Sequence, residues 1–240
     1  MRVNRPRVDK EYATEVTAGL VDYYDRLAGH YDTDRFGNSY GRYLDAQERH
    51  LLGRWLAPIQ GQKILDLACG TGRLLEFATH GLDASENMVR LARQKHPQKD
   101  IRCGLASHLS DFRIRFDAIF CLHLFMHLPR PEIERVLHAS FEQLQPGGLL
   151  VLDVASANRR RLTGFRPNGW HAGTALSYRE VVTMTEGNWL LRATRGVLLL
   201  PIHRLPAFAR QAFRPFDDLA GMTPLKHWSS YLFFCLQRRP

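Results

Sequence analysis

A short apolar run, Ile64-Leu65-Asp66-Leu67, gives way to Ala68-Cys69-Gly70-Thr71-Gly72 and then to a helical pattern over Arg73-Leu74-Leu75-Glu76-Phe77-Ala78. No other stretch limits the possible folds so sharply. The run has the length and apolarity of a buried parallel strand. Strand, glycine turn and helix make the first half of a βαβ unit. The glycines let the backbone approach a ligand where a Cβ would collide. Asp66, near the strand's C-terminal end, is expected to point into the crevice where open α/β sheets bind small molecules. The residues after Gly72 exclude two phosphate-binding turns. A dinucleotide fingerprint needs a third glycine where Leu75 stands, and a P-loop needs Gly-Lys-Ser/Thr where this chain has Gly72-Arg73-Leu74.

Further landmarks come in order. Leu82-Asp83-Ala84-Ser85-Glu86-Asn87-Met88 puts an acid at the end of a second, stub-like strand, after a crossover helix of about two turns. Ser85 caps the helix that runs from Glu86 to Lys95. The Asp83 carboxylate offers two acceptors to a vicinal diol. Ile101 to Cys103 is a third strand, leading into Gly104-Leu105-Ala106-Ser107-His108-Leu109. Phe116 to Cys121 is a fourth, followed by Leu122-His123-Leu124-Phe125-Met126-His127-Leu128-Pro129. Pro131 opens a helix over Glu132 to Leu144 with helical apolar spacing. Gln145-Pro146-Gly147-Gly148 then turns into an apolar strand, Leu149 to Val154.

Across residues 63–154 these landmarks resemble the class I S-adenosylmethionine (SAM) methyltransferases. Asp66 to Gly72 matches that family's Asp-x-Ala/Gly-x-Gly-x-Gly turn, Leu82 to Met88 its G-x-D-x-S-x-x-M, and Leu144 to Gly148 its Leu-x-Pro-Gly-Gly. The resemblance implies SAM as cofactor. Asp66, Ala68, Cys69, Gly70 and Gly72 would wrap its methionine end. Asp83, with Ala84 beside it, would bridge the ribose hydroxyls, and Met88 would pack on adenine. Leu105 replaces the acid that usually accepts from the adenine amino group, which leaves the adenine to Ala106 and Ser107. Cys121 ends the strand that passes beneath the transferring methyl. Upstream, Tyr23-Tyr24-Asp25-Arg26-Leu27-Ala28-Gly29-His30-Tyr31-Asp32 resembles the family's "YD...A..YD" opening, which implies that Tyr24 and Tyr31 face the site. The same rings also suit core anchors of an amphipathic helix pair.

The fold expected is α/β and Rossmann-like: a mostly parallel seven-stranded sheet with an antiparallel C-terminal strand. Residues 1–56 form an N-terminal helical cap, behind a loose arm of about ten residues, and 57–240 the SAM-binding domain. An inserted lid at about 157–204 contains a basic loop from Arg159 to Gly173 and a β-hairpin roof made of Leu176–Thr183 and Trp189–Leu200. Leu205 to Leu219 reads as helical, and Trp228 to Leu236 as the closing strand.

Methyl transfer from a sulfonium is an in-line displacement, so the protein's main task is alignment. A hydroxyl or ammonium acceptor also needs a base, and histidine suits neutral pH. His127 and His123 are the catalytic candidates, since a spacing of four would put both on one helix face. A loop cap and a packed core side chain are the structural alternatives. His171 and His203 follow them. No Asn/Asp-Pro-Pro-Tyr segment follows the fourth strand, which argues against nucleobase amines as acceptors.

The 240 residues carry a net charge of +9, spread along the chain apart from Arg159-Arg160-Arg161. That balance fits an anionic small substrate or plain solubility as well as it fits nucleic acid, and the plain reading is favoured. The leading reading is a SAM-dependent methyltransferase acting on a small, aromatic or anionic acceptor. An RNA methyltransferase, and a SAM-binding protein or cyclase that transfers no methyl, remain the competing readings. The four cysteines show no C-x-x-C spacing and read as buried free thiols, with no metal site. No signal-like apolar segment or membrane-length run is visible, so a cytoplasmic protein with no membrane partner is expected. The oligomeric state stays open.

Overall fold

The computed structural model describes residues 8–59, 61–167 and 172–240; the proposed base His171, and Trp170 beside it, lie outside the described residues. Seven strands form one sheet: β1 (Ile64–Leu67), β2 (His80–Asp83), β3 (Asp100–Cys103), β4 (Phe116–Cys121), β5 (Leu144–Ala155), β6 (Trp189–Val197) and β7 (Tyr231–Arg238). Their order is β3-β2-β1-β4-β5-β7-β6. The first five pair in parallel, and β7 runs antiparallel to both of its neighbours. The order reverses beside β1, where its C-terminal end and that of β4 diverge to opposite crossovers. Open α/β sheets bind ligands at such a crevice.

Alternation along the strands divides the core in two. Leu65, Leu67, Ile119, Leu150, Leu152 and Phe234 pack on one face, against Ile133, Val136 and Leu137 of α5 (Arg130–Gln143). Ile64, Ala118, Phe120, Val151 and Phe233 pack on the other, against Leu51 and Leu52 from the helix over Ser39–Leu56 and Val89 and Ala92 from that over Glu86–Lys95. A sheet sandwiched this way buries its central strands on both sides, which is why β1, β4 and the second half of β5 read as continuous apolar runs.

The N-terminal segment is helical as expected, in three pieces: α1 (Val8–Leu27), α2 (Tyr31–Phe36) and α3 (Ser39–Leu56), the last capped by Asn38. The expected arm of about ten residues gives way to helix at Val8; residues 1–7 lie outside the description. α4 (Glu86–Lys95) starts at the Ser85 cap, whose hydroxyl accepts from the Met88 N–H at 3.1 Å.

The structure corrects five expectations. The crossover after the glycine turn holds a single 3₁₀ turn, Leu75–Phe77, rather than two helical turns, because β2 begins at His80. The hairpin roof does not form. Its first arm is α7 (Tyr178–Thr185), and its second is β6, the sheet edge paired with β7. The Val and Thr content of 178–185 suggested strand, but Ser177 and Glu180 close a complete capping box, and that local motif outweighs a weak propensity. The basic segment after β5 is α6 (Ala157–Thr163) over most of its first half, bounded by a Ser156 cap and by Gly164 in the left-handed region. Of the span 205–219, only the 3₁₀ turn Arg210–Phe213 and α8 (Arg214–Ala220) are helical. Cys103 is exposed, unlike the buried Cys69, Cys121 and Cys235.

Ser177→Ala removes one half of the box while Glu180 keeps the other. It is expected to lower unfolding free energy by about 1 kcal/mol, read from the urea midpoint. An unchanged midpoint would show that α7 is held by packing alone.

Candidate functional site

The glycine turn is shaped by its backbone. Ala68, Gly70 and Gly72 all have positive φ, at 64°, 54° and 85°. An alanine in that region is strained, and such strain gathers at functional sites. Gly72 is needed for close packing, since a Cβ there would meet the His96 ring and Leu75 at 3.0 Å. Asp83 joins this turn to α4. One carboxylate oxygen accepts the Gly70 N–H at 2.8 Å and the other accepts the Ser85 N–H at 2.9 Å. Burial pushes its pKa up against those two bonds.

Above the turn lies a partly enclosed cavity. Its floor is Ala68, Gly70, Leu82, Asp83 and Ala84; Met88, Gly104, Leu105 and Ala106 form one wall; Leu122 to Leu124, His127, Leu128, Glu132 and Val136 form the other. Leu20, Val21, Tyr24 and Tyr31 roof it. A smaller adjoining cavity is lined by Asp66, Cys69, Thr71, Arg73 and His123, with Tyr31, Ala68 and Gly70 shared. Of the residues picked from the sequence, Gly72, Ser107 and Cys121 line neither cavity. Gly72 packs beneath α4, the Ser107 hydroxyl bonds His108, and Cys121 is buried in the core. His203 is exposed and likewise lines neither.

The roof is fastened by carboxylates. Asp25 of α1 accepts from the Ser85 hydroxyl at 2.6 Å, the Asn87 N–H at 2.9 Å and the Asn87 side chain at 2.7 Å. Those bonds hold its pKa below the usual carboxylate value. Asp32 of α2 accepts from the Thr71 hydroxyl at 2.6 Å and pairs with Lys95. The Arg73 guanidinium sits 3.8 Å above the Phe36 ring and pairs with Asp45 and Glu48 of α3. Sequence reasoning missed Asp25, Asp32 and Glu48 altogether. The two Tyr-Asp steps of the N-terminal segment were the available signal for the first two.

His123 is the most constrained side chain of the site. Its backbone is left-handed (φ 61°), its N–H donates to Asp153 Oδ1 at 2.6 Å, and its Nε2 meets Glu48 Oε1 at 2.5 Å. The other Asp153 oxygen lies 3.6 Å from Nδ1. Burial alone would lower the imidazole pKa, but the charges of Glu48 and Asp153 raise it. Burial would likewise raise Glu48, yet His123 and Arg73 hold it down at about 2. Asp153 is driven the other way, up to about 6 by burial. His127 does not share a helix face with His123. It ends the 3₁₀ turn Phe125–His127. Its Nδ1 accepts the Ala172 N–H at 3.1 Å, and its Nε2 lies 3.0 Å from the Tyr24 hydroxyl. An N–H aimed at Nδ1 assigns the ring proton to Nε2, which donates it to Tyr24.

Residues 64–148 match a family model described as a methyltransferase domain. Over those residues the chain is similar to methyltransferase domains. Ubiquinone biosynthesis O-methyltransferase from Azoarcus sp. is 29% identical over 111 residues, covering 42% of this chain and 47% of that protein. Its counterpart from Coxiella burnetii is 30% identical over 110 residues, covering 42% and 46%. The chain thus matches about half the length of these curated relatives. The methyltransferase fold extends further. Magnesium protoporphyrin IX methyltransferase from Synechocystis PCC 6803, solved with bound SAH, superposes with a TM-score of 0.66 at 15% identity, over 92% of this chain and 99% of that one. A possible histamine N-methyltransferase from Thermotoga maritima gives 0.63 at 14% identity, over 92% and 100%. Among the described residues, no helix is long and apolar enough to cross a membrane, and no group of three or more His, Cys, Asp or Glu is arranged to hold a metal ion.

Glu48→Gln leaves Arg73 and His123 facing a neutral amide. Breaking a buried pair this way costs roughly 3–5 kcal/mol, which is the expected loss at pH 7. A depressed pKa stabilises the fold above the unfolded value near 4.5 and loses that contribution as pH falls toward 2. The gap between wild type and variant in urea denaturation should therefore narrow below pH 4.5. A constant gap would show that Glu48 acts by packing alone.

Proposed function

We propose that this chain is a methyltransferase that uses SAM to methylate a small acceptor, aromatic or anionic in character. The observation that carries the reading is a carboxylate-rich crevice in a basic protein. Asp66, Asp83 and Glu132 line the two cavities, with Glu48 and Asp153 directly behind His123, while the chain as a whole is +9. Such a crevice favours a ligand bearing a sulfonium and an ammonium over a nucleotide phosphate. SAM supplies a methyl group already activated for in-line displacement.

The protein's share is alignment and exclusion of water. Asp83 has its plane fixed by the Gly70 and Ser85 N–H groups, and its remaining lone pairs suit the two ribose hydroxyls. Asp66 lines the smaller cavity, and a cationic methionine end there would offset the burial that otherwise raises its pKa. Met88, Leu105 and Ala106 offer apolar surface for adenine. Besides Asp83, Glu132 is the carboxylate on the main cavity. It is 5% exposed, reaches in from α5 and pairs with Arg135. It stands on the wall opposite Met88 and takes over, in this reading, the acceptor role that Leu105 cannot fill.

Proton handling follows from the two histidines. His123 is held between Glu48 and Asp153, whose charges favour its protonated form over the burial that opposes it, and His127 keeps its proton on Nε2 toward Tyr24. Both rings are engaged by protein partners, so in this reading the acceptor atom arrives ionised. His127 positions the Tyr24 hydroxyl, whose own hydrogen is free to point at the acceptor. Arg35, whose charge acts on Tyr24, Tyr31 and Tyr231, adds a cation on the same side. The O-methyltransferase names of the curated relatives favour oxygen as the atom methylated.

Two measurements test this. Asp83→Ala should weaken SAM binding by more than about tenfold, since hydrogen bonds to a charged group are worth about 1.5–3 kcal/mol each; unchanged affinity by calorimetry would remove its ribose role. Wild type should bind SAH more tightly than S-inosylhomocysteine, which carries a carbonyl in place of the amino group. Glu132→Gln, whose amide can donate to that carbonyl, should shrink the preference at least roughly fivefold, about 1 kcal/mol. A variant that keeps the preference while melting lower would reduce Glu132 to a partner of Arg135.

A further inference from the structure

Most of the large apolar side chains left exposed lie in two stretches beyond the methyltransferase core. Phe208 is 91% exposed, Phe216 67%, Leu219 64% and Leu162 66%. Phe165 and Leu225 are more than half exposed as well. A soluble chain seldom leaves so much apolar surface together without covering it.

Hydrogen bonds join parts of the two stretches. The Ser156 hydroxyl at the start of α6 donates to His227 O at 2.9 Å, and an Arg159 N–H donates to Trp228 O at 3.4 Å. These bonds hold α6 against the 3₁₀ turn Pro224–Trp228. The Gly196 N–H donates to Gly221 O at 2.9 Å, and Lys226 lies against Gly196, so the end of α8 joins that turn across the end of β6.

Charge along the two stretches is one-sided. Residues 157–166 and 203–228 carry eight arginines and lysines against two acids, Asp217 and Asp218. Both acids turn inward. Asp217 accepts from the Tyr43 hydroxyl, the Gln47 amide and the Leu199 and Leu200 N–H groups, and Asp218 accepts from Gln47 at 2.9 Å. Among the described residues, none of the eight cations has an acidic side chain within 4.0 Å. Exposed aromatic and aliphatic side chains interleaved with unpaired arginines match an interface whose apolar interior lies beneath a negative surface.

We propose that the face built by α6, α8 and the turn before β7 docks on the surface of an anionic lipid bilayer. Phe208, Phe216 and Leu219 enter the acyl boundary, and Arg161, Arg166 and Arg214 pair with headgroup phosphates. The expectation of no membrane partner rested on the lack of a spanning run, which does not bear on surface docking.

Cosedimentation of the full chain with vesicles tests this. The chain should partition onto vesicles of about one-third phosphatidylglycerol in phosphatidylcholine and much less onto phosphatidylcholine alone, with binding reduced by salt. A Phe208→Ser, Phe216→Ser, Leu219→Ser triple variant should lose roughly tenfold or more in partitioning while keeping the wild-type melting temperature. Should that variant fail to fold, Arg161→Gln, Arg166→Gln, Arg214→Gln should instead lose the preference for phosphatidylglycerol. Wild type left in the supernatant at low salt, or variants that bind as wild type does, would overturn the proposal. So would a dimer in sedimentation velocity that the triple variant splits and vesicles do not displace, since a second copy would then cover the face.

Discussion

The buried carboxylate of Glu48 is what the arrangement around the crevice rests on. It comes from α3, belongs to the helical cap, and is wholly shielded from solvent. Yet it meets Arg73 from the glycine turn and His123 from the loop after β4. Three segments distant in sequence are thereby set against one charge. A buried charge is tolerated only when fully paired, so these partners have little freedom to move apart. The left-handed backbone at His123 is held by the same contacts, reinforced by Asp153.

Around that centre the cap is tied down rather than laid on. Asp25 closes the N-terminus of α4, where the helix dipole and open N–H groups favour a carboxylate, and Asp32 holds Thr71 and Lys95. The tyrosines that immediately precede these acids are thereby placed over the cavity. Tyr24 and Tyr31 combine the two roles open to them from the sequence, since their rings meet edge to face at 5.9 Å and line the cavity together.

β1, β4 and the second half of β5 were legible because buried parallel strands leave a plain pattern of short continuous apolar runs. Asp66, the glycines and Asp83 could be found for the same reason, being local punctuation at strand ends. What escaped was set by long-range contact. Nothing near Glu48 distinguishes it from a solvated helix acid until α3 is docked. Glu132 reads as an ordinary first-turn carboxylate until α5 is seen to wall the cavity. The false hairpin arose differently. Ser177-Tyr178-Arg179-Glu180 was readable as a capping box, but β-branched content was given more weight, and β6 then found its partner in β7 rather than in the segment before it.

The central claim is that the crevice at the ends of β1 and β2 accepts an adenosyl ligand with a cationic methionine end. Isothermal titration of the intact chain with SAM, and separately with NADH, tests this most directly. The account predicts one-to-one binding of SAM and no heat of binding with NADH. Saturable binding of NADH with none of SAM would contradict it.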